Sequence, residues 1–400
     1  MNNDKNARNK EASTMSQRAV ARATLLFTAV ALLLSRMGHA DDRSSRNVAP
    51  TGMQTGFIVS SIAFGMGPDA DNPGVCPDGM SKGVIEAYKA AGGKDADPRA
   101  NEQPLASEIR IYQTAAMAPN GENLCANPRA APDPFFRTVN AKHLPVEGID
   151  LDGQRSHREG KAMPGTCSHD DFDGVDNQMY RVLGCIHGYQ STGVANKFET
   201  EMLTGAWAIL VSLEGVHDLQ NDPDVAVGLY ASADPIQLSP TRQPLWHATY
   251  SADPDPRFRA TTRGRIINGV LTTDPVDVRF RWSAEGWRLV RPLLGARLQL
   301  KLASDGTADG FLAGYTPIDE WFANNYNYSS AATFDGSPIR PGHQIFSSVG
   351  TARLQGFTCN GLYQAMMQLA DGNRDAQSGK CTSISTQYRI HLVPAFVVTQ

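Results

Sequence analysis

Residues 276–282 have the sequence VDVRFRW, in which apolar and charged side chains alternate at every position. A second stretch, residues 296–302, has the sequence ARLQLKL and repeats this alternation. A period of two is typical of a β-strand that has one face in the core and the other in water. Strands of this kind usually pair in antiparallel sheets. The two stretches therefore predict an antiparallel sheet with one solvated face.

Further strand and turn signals lie on both sides of this pair. Strands are predicted at 56–64, 205–216, 224–231, 287–290 and around Tyr388, Ile390 and Leu392, and short helices at 83–91 and 361–370. Asn-Gly at 268–269 and Asp-Gly at 305–306 are hairpin turn signals, whereas residues 92–175 are rich in Gly, Pro, Asp and Asn and show little periodicity. The predicted fold is mainly β: an antiparallel β-sandwich or jelly roll with a few short helices and a loop-rich N-terminal part.

The first forty residues have the composition of a secretory signal. Arg18 and Arg22 precede the apolar run 24–34, and Ala40 stands directly before an acidic pair. The run is about half the length that spans a bilayer, which disfavours a retained anchor, although an amphipathic anchor is the alternative. We therefore predict a cleaved Sec-type signal peptide at 1–40 and a periplasmic or secreted mature protein without a membrane span.

Composition divides the remaining chain into three parts. Residues 41–54 are polar and predict a flexible leader. Residues 55–196 predict a loop-rich, disulfide-stapled part, and residues 197–400 an antiparallel β-sandwich part that could form one domain with it. Loss of residues 1–40 changes the charge count from 37 basic and 41 acidic residues to 31 and 39, a net charge of −8. This acidic balance without a basic block argues against nucleic acid as a partner.

Six cysteines lie in the predicted mature part: Cys76, Cys125, Cys167, Cys185, Cys359 and Cys381. An even count in an exported chain predicts three disulfides. The spacing favours bonds between neighbours in the sequence, which pairs 76 with 125, 167 with 185, and 359 with 381. The chain has no C-x-x-C motif, which argues against zinc-ribbon, thioredoxin-like and c-type haem proteins.

The strongest local motif is residues 169–177, with the sequence HDDFDGVDN, and a second D-x-D-G motif stands at 150–153. Carboxylate and amide oxygens are the ligands that calcium prefers, and calcium tolerates irregular geometry. We therefore predict that the two motifs converge on a structural calcium ion. The candidate metal ligands are Asp150, Asp152, Asp171, Asp173, Asp176 and Asn177.

The run 169–177 resembles the D-x-D-G-x-D-N loops of calcium-binding repeats such as thrombospondin type 3 modules, and this resemblance implies calcium as the ligand. The run differs from an EF-hand, because Gly174 takes the fourth loop position and Val182 the twelfth. Two alternatives stay open. Asp-Gly pairs form ordinary turns, and Asp176 or Asn177 could cap a helix; or the carboxylates could form a catalytic site.

Residues 315–328 concentrate aromatic rings, amides and two carboxylates. Aromatic rings present a flat apolar face, on which a sugar ring can stack, and amides bind hydroxyl groups. This segment therefore predicts glycan or peptide binding, and the alternative is an aromatic edge packed on the core. The candidate ligand-binding residues are Tyr315, Trp321, Tyr326 and Tyr328.

Motifs of known enzyme classes are weak in this chain. Residues 79–83 match the G-x-S-x-G nucleophile elbow, but no buried strand precedes them. His217 and Asp218 form an isolated pair that we expect to make a turn hydrogen bond. The sequence therefore predicts an exported, disulfide-stabilised, calcium-braced β-sandwich that binds a glycan or protein partner in the cell envelope. The alternative is an exported hydrolase or lyase that acts on a polymer through carboxylates of the Asp-rich loops.

Overall fold

The computed structural model describes residues 52–90, 92–94, 116–141, 143–153, 167, 172–193, 202–203, 207–284, 287–323, 352–353 and 355–399. All of them belong to one compact unit, Ala49–Gln400. The signal peptide predicted at 1–40 and the leader up to residue 51 lie outside the described residues. Gln54, the last residue of the predicted leader, is already part of the first strand.

The described residues form eleven strands and four α-helices. The strands are β1 (Met53–Phe64), β2 (Ile209–Val216), β3 (Asn221–Ala231), β4 (Ala248–Ser251), β5 (Arg259–Ile267), β6 (Val270–Thr273), β7 (Val276–Ala284), β8 (Trp287–Leu302), β9 (Ala308–Pro317), β10 (Gly372–Arg374) and β11 (Cys381–Val398). The helices are α1 (Val84–Ala90), α2 (Gln178–Leu183), α3 (Ile318–Phe322) and α4 (Cys359–Gln368), with 3-10 turns at His187–Tyr189 and Pro256–Phe258.

Eight of the strands close into an antiparallel barrel. They follow the order β1-β2-β3-β5-β6-β8-β9-β11, and β11 pairs back onto β1. The prediction of a mainly β fold is confirmed. The predicted sandwich or jelly roll is corrected, because β1 and β11, the first and last strands of this circuit, pair with each other and the sheet closes on itself.

The stretch 276–282 forms β7, which pairs with the first part of β8 and lies off the barrel circuit. Its apolar side chains enter the core: Phe280 is buried, and the ring of Trp282 stacks on Trp207 with centroids 4.2 Å apart. On the opposite face, Arg279 makes an ion pair with Glu320. The period-two prediction is therefore confirmed for this strand, and its apolar face helps to fill the core.

The Asn-Gly turn is also confirmed. Ile267 of β5 pairs with Val270 of β6, which leaves Asn268 and Gly269 as a two-residue loop. Both loop residues have a positive φ, 52° for Asn268 and 75° for Gly269. Two-residue hairpin loops need this backbone conformation, and Asn and Gly adopt it at the least cost.

Three disulfides cross-link the described structure, and the predicted number is confirmed. The predicted pairing is wrong: the bonds join Cys76 to Cys185, Cys125 to Cys359, and Cys167 to Cys381, over separations of 109, 234 and 214 residues. Spacing reports only the length of the loop that a bond would close, whereas the fold decides which cysteines meet. Three disulfides are consistent with an oxidising compartment. No helix in the described ranges is long and apolar enough to cross a membrane.

Candidate metal centre

Three aspartates from the two predicted motifs come together. One carboxylate oxygen each from Asp150, Asp152 and Asp176 lies within 4.8 Å of the other two. Asp150 and Asp152 belong to the loop 143–153, and Asp176 directly precedes the N-cap of α2. Within the part of the chain that the structure describes, this cluster could hold a metal ion.

A single side chain of the barrel holds both parts of the cluster. Gln387 of β11 is buried, and its amide donates hydrogen bonds to the carbonyl oxygens of Ile149 (3.0 Å) and Asp176 (2.7 Å). Its side-chain oxygen accepts the N–H of Ile149 at 3.1 Å. One buried side chain of β11 therefore binds the backbone of both segments.

The D-x-D-G motif wraps around the carboxylate of Asp176. Asp176 is buried, and its Oδ2 accepts the backbone N–H groups of Leu151 (2.5 Å) and Asp152 (3.1 Å). The Oδ1 of Asp150 accepts the N–H of Gly153 at 2.6 Å, which closes a tight turn. These N–H groups set the direction of each carboxylate.

A fourth carboxyl group, that of Asp371, interacts electrostatically with the cluster. Burial, together with the nearby charge of Asp176, raises the pKa of Asp371 to about 7, against hydrogen bonds from Ser385 that lower it. The N–H of Ser385 donates to Asp371 at 2.6 Å. Burial also raises the pKa of Tyr315, and the charges of Asp371, Asp176 and Asp152 add to that effect. A cation bound here would face one exposed, one half-buried and one buried aspartate, Asp152, Asp150 and Asp176.

The other predicted ligands have different places. The Oδ1 of Asn177 accepts the N–H of Tyr180 at 3.1 Å, and its Nδ2 donates to the carbonyl oxygens of Gly65 (2.7 Å) and Glu147 (3.0 Å). Asn177 is thus the N-cap of α2, as the alternative interpretation anticipated. Asp173 has a φ of 53° and contacts His143 Nδ1 at 3.0 Å, outside the three-aspartate cluster. Asp171 lies outside the described residues.

The predicted ligand-binding aromatic residues differ in their burial. Tyr315 is half-buried on β9, whereas Trp321 on α3 is 4% exposed, with the guanidinium of Arg291 5.1 Å from its ring centre. Tyr326 and Tyr328 lie outside the described residues. The neighbouring acidic residues are paired: Asp319 with Arg129, and Glu320 with Arg279.

The weak enzyme motifs have structural roles. The hydroxyl of Ser81, in the G-x-S-x-G match, donates to the carbonyl oxygen of Arg137 at 3.0 Å and accepts its N–H at 2.9 Å. Asp218 accepts the N–H of Gln220 at 2.8 Å, which is the predicted turn hydrogen bond. Both residues therefore fix local backbone.

Sequence reasoning missed Gln387 and Asp371. Gln387 alternates with apolar residues along β11, and a polar residue in that pattern predicts a face in water. Its face is instead covered by the loop 143–153. Asp371 stands directly before a three-residue strand and carries no motif. Only the folded structure shows that both lie beside the cluster.

No protein-family model matches this chain, and no similar protein is found among the curated sequences or the solved structures.

Proposed function

We propose that this protein is exported through a signal peptide at 1–40 and holds a structural calcium ion at Asp150, Asp152 and Asp176. Its proposed role is to bind a glycan or protein partner in the cell envelope. The observation that carries the proposal is the convergence of the three carboxylates: Asp150 and Asp152 come from one motif, and Asp176 comes from the second motif, 24 residues after Asp152.

The chemistry of the cluster favours calcium. All three side chains offer hard oxygen atoms, and calcium accepts six to eight such ligands in irregular geometry. Three carboxylates within 4.8 Å repel one another unless a cation or protons offset their charge. Asp176 is buried and held by two backbone N–H groups, which suits a ligand that braces a loop.

Exposed aromatic side chains support the binding role. Trp246 is 48% exposed and Phe396 is 59% exposed, and the ring of His247 lies 6.1 Å from that of Phe396. His247 has a φ of 57°, a backbone conformation that residues other than glycine rarely adopt. Exposed rings on a constrained backbone are typical of surfaces that recognise sugars or proteins.

Thermal melts in calcium and in a chelator test the proposal. At ten times its dissociation constant, calcium should stabilise the fold by about 1.4 kcal/mol, a rise in Tm of about 2–5 °C. Asp152→Asn should abolish most of this rise. Asp309→Asn, on the surface and outside the cluster, should keep it. Identical melts of the wild-type protein in calcium and chelator would contradict the metal site.

A further inference from the structure

A cavity of about 480 Å³ lies against β1 and β11, and none of the three clustered aspartates lines it. Its floor is formed by β1 and β11, and its walls by residues 66–69, 145–147 and 189–193. A volume of this size is in the range of cavities that bind small molecules. The question is then which chemistry the cavity would select.

An irregularity in β1 shapes the floor. Val59 pairs with Leu392 and Ser61 with His391, so Ser60 is an extra residue between them. Its hydroxyl donates to the carbonyl oxygen of His391 at 3.1 Å. Beyond this bulge the small residues Ser61 and Ala63 line the cavity. Because their side chains are short, the space above them stays open.

One carboxylate of the cavity is already neutralised. Glu147 Oε1 accepts a hydrogen bond from Arg389 Nη1 at 2.9 Å, and Oε2 accepts the N–H of Met66 at 3.2 Å. Arg389 of β11 pairs with Ala63 of β1, and both residues line the floor of the cavity. The charges of Glu147 and Arg389 therefore offset each other within the cavity.

The second carboxylate has no such partner. Asp69 Oδ1 accepts the N–H of Ser191 at 2.8 Å, and Oδ2 accepts its hydroxyl. Asp69 is half-buried, and no lysine, arginine or histidine of the described chain makes an ion pair with it. Ser191 thus fixes the direction of this carboxylate, and no cationic side chain in the described ranges offsets its charge. Among the described residues of the lining, one guanidinium and two carboxylates leave a net negative charge.

We propose that this cavity binds a small ligand that carries an ammonium group, with Asp69 as the acceptor. A fixed carboxylate that faces a cavity binds an ammonium group through charge-assisted hydrogen bonds, and it loses little freedom on binding. The Ser61 hydroxyl and the remaining N–H groups of Arg389 can hold polar or anionic groups of the same ligand. The site does not depend on calcium at the aspartate cluster.

Matched pairs of amines and alcohols test this selectivity on the full chain. The probes are glucosamine and glucose, 1,6-diaminohexane and 1,6-hexanediol, and phenethylamine and phenethyl alcohol. Binding is measured by ligand-observed NMR and calorimetry in chelator. At least one amine should bind about tenfold more tightly than its alcohol, since one charge-assisted bond contributes that factor. If no amine binds more tightly than its alcohol, the proposal is overturned.

Three variants locate the binding. Asp69→Asn keeps the shape of the side chain and should weaken amine binding at least tenfold, and Asp224→Asn, on the distant strand β3, should not change it. Ser61→Leu leaves every charge in place and fills the cavity, so it should also abolish binding. Equal amine affinity in the wild type and in either Asp69→Asn or Ser61→Leu would overturn the assignment, provided that the variant shows a cooperative melt.

Discussion

Gln387 hydrogen-bonds the backbone of Ile149 through both ends of its side-chain amide, as a neighbouring β-strand would through its main chain. A third bond joins the same amide to the carbonyl oxygen of Asp176. One side chain of the barrel thus contacts both halves of the candidate metal centre. The rigidity of the site depends on a residue that contributes no metal ligand.

Gln387→Ala should lower the free energy of unfolding by about 2–4 kcal/mol, because it leaves buried N–H and C=O groups without partners. It should also weaken calcium binding, since Asp150 and Asp176 lose their common support. Urea melts with and without calcium measure both effects. Gln377→Ala, at an exposed position, is the control and should change stability by less than about 0.5 kcal/mol. A calcium response unchanged in Gln387→Ala would show that the amide does not organise the site.

Asp371 should make the metal-free protein less stable as the pH rises. Burial raises its pKa from an ordinary value of 3.8 to about 7, so between these values the folded state keeps a proton that the unfolded state has released. Stability therefore falls from about pH 4 to pH 7, and the full cost applies above pH 7. Asp371→Asn removes this cost and should raise Tm at pH 8 in chelator, with little gain at pH 4.

Asp375→Asn is the matched control for that experiment. Asp375 is a partly exposed residue whose pKa is lowered by the hydroxyl and N–H of Ser378, so its charged form is favoured in the folded state. Its replacement should not raise Tm at pH 8. A similar Tm gain for both variants would indicate a general charge effect and contradict the role of burial at Asp371.

The disulfide between Cys167 and Cys381 should contribute strongly to stability. It closes a long loop, with a separation of 214 residues, and links the region between the two Asp motifs to β11. Replacement of both cysteines by serine should lower the free energy of unfolding by roughly 3–5 kcal/mol. Denaturant melts of the oxidised proteins measure the loss. A loss below about 1 kcal/mol would show that other contacts already restrain these segments.

Gly269→Ala should destabilise the β5–β6 hairpin by about 1–2 kcal/mol. The φ of Gly269 is 75°, and a side chain there is strained even though its Cβ would make only ordinary contact with the side chain of Gln220. Asn268→Gly is the control, because glycine adopts the φ of 52° at that position without strain. Equal stability of Gly269→Ala and the wild type would mean that the loop can change its turn type.

Sequence periodicity predicted strands because the alternation of apolar and polar residues within one strand follows its own buried and exposed faces, as in residues 276–282. It could not predict barrel closure, since the pairing of β1 with β11 joins residues such as Gly56 and Ala395 that share no local signal. The cysteine pairing failed for the same reason. The Asp motifs predicted the cluster in part: Asp150, Asp152 and Asp176 converge, but Asp173 contacts His143 instead.

The pairing of β1 with β11 also sets an order of events during folding. β1 is the first strand of the barrel and β11 the last, and Cys359 and Cys381 each bond to a cysteine more than 200 residues earlier. Contacts of such long range close large loops, which makes folding slow. The strand edges therefore stay unpaired until β11 is available, and Cys125 and Cys167 lack their native partners until Cys359 and Cys381 are available. The chain depends on protection from aggregation during that interval.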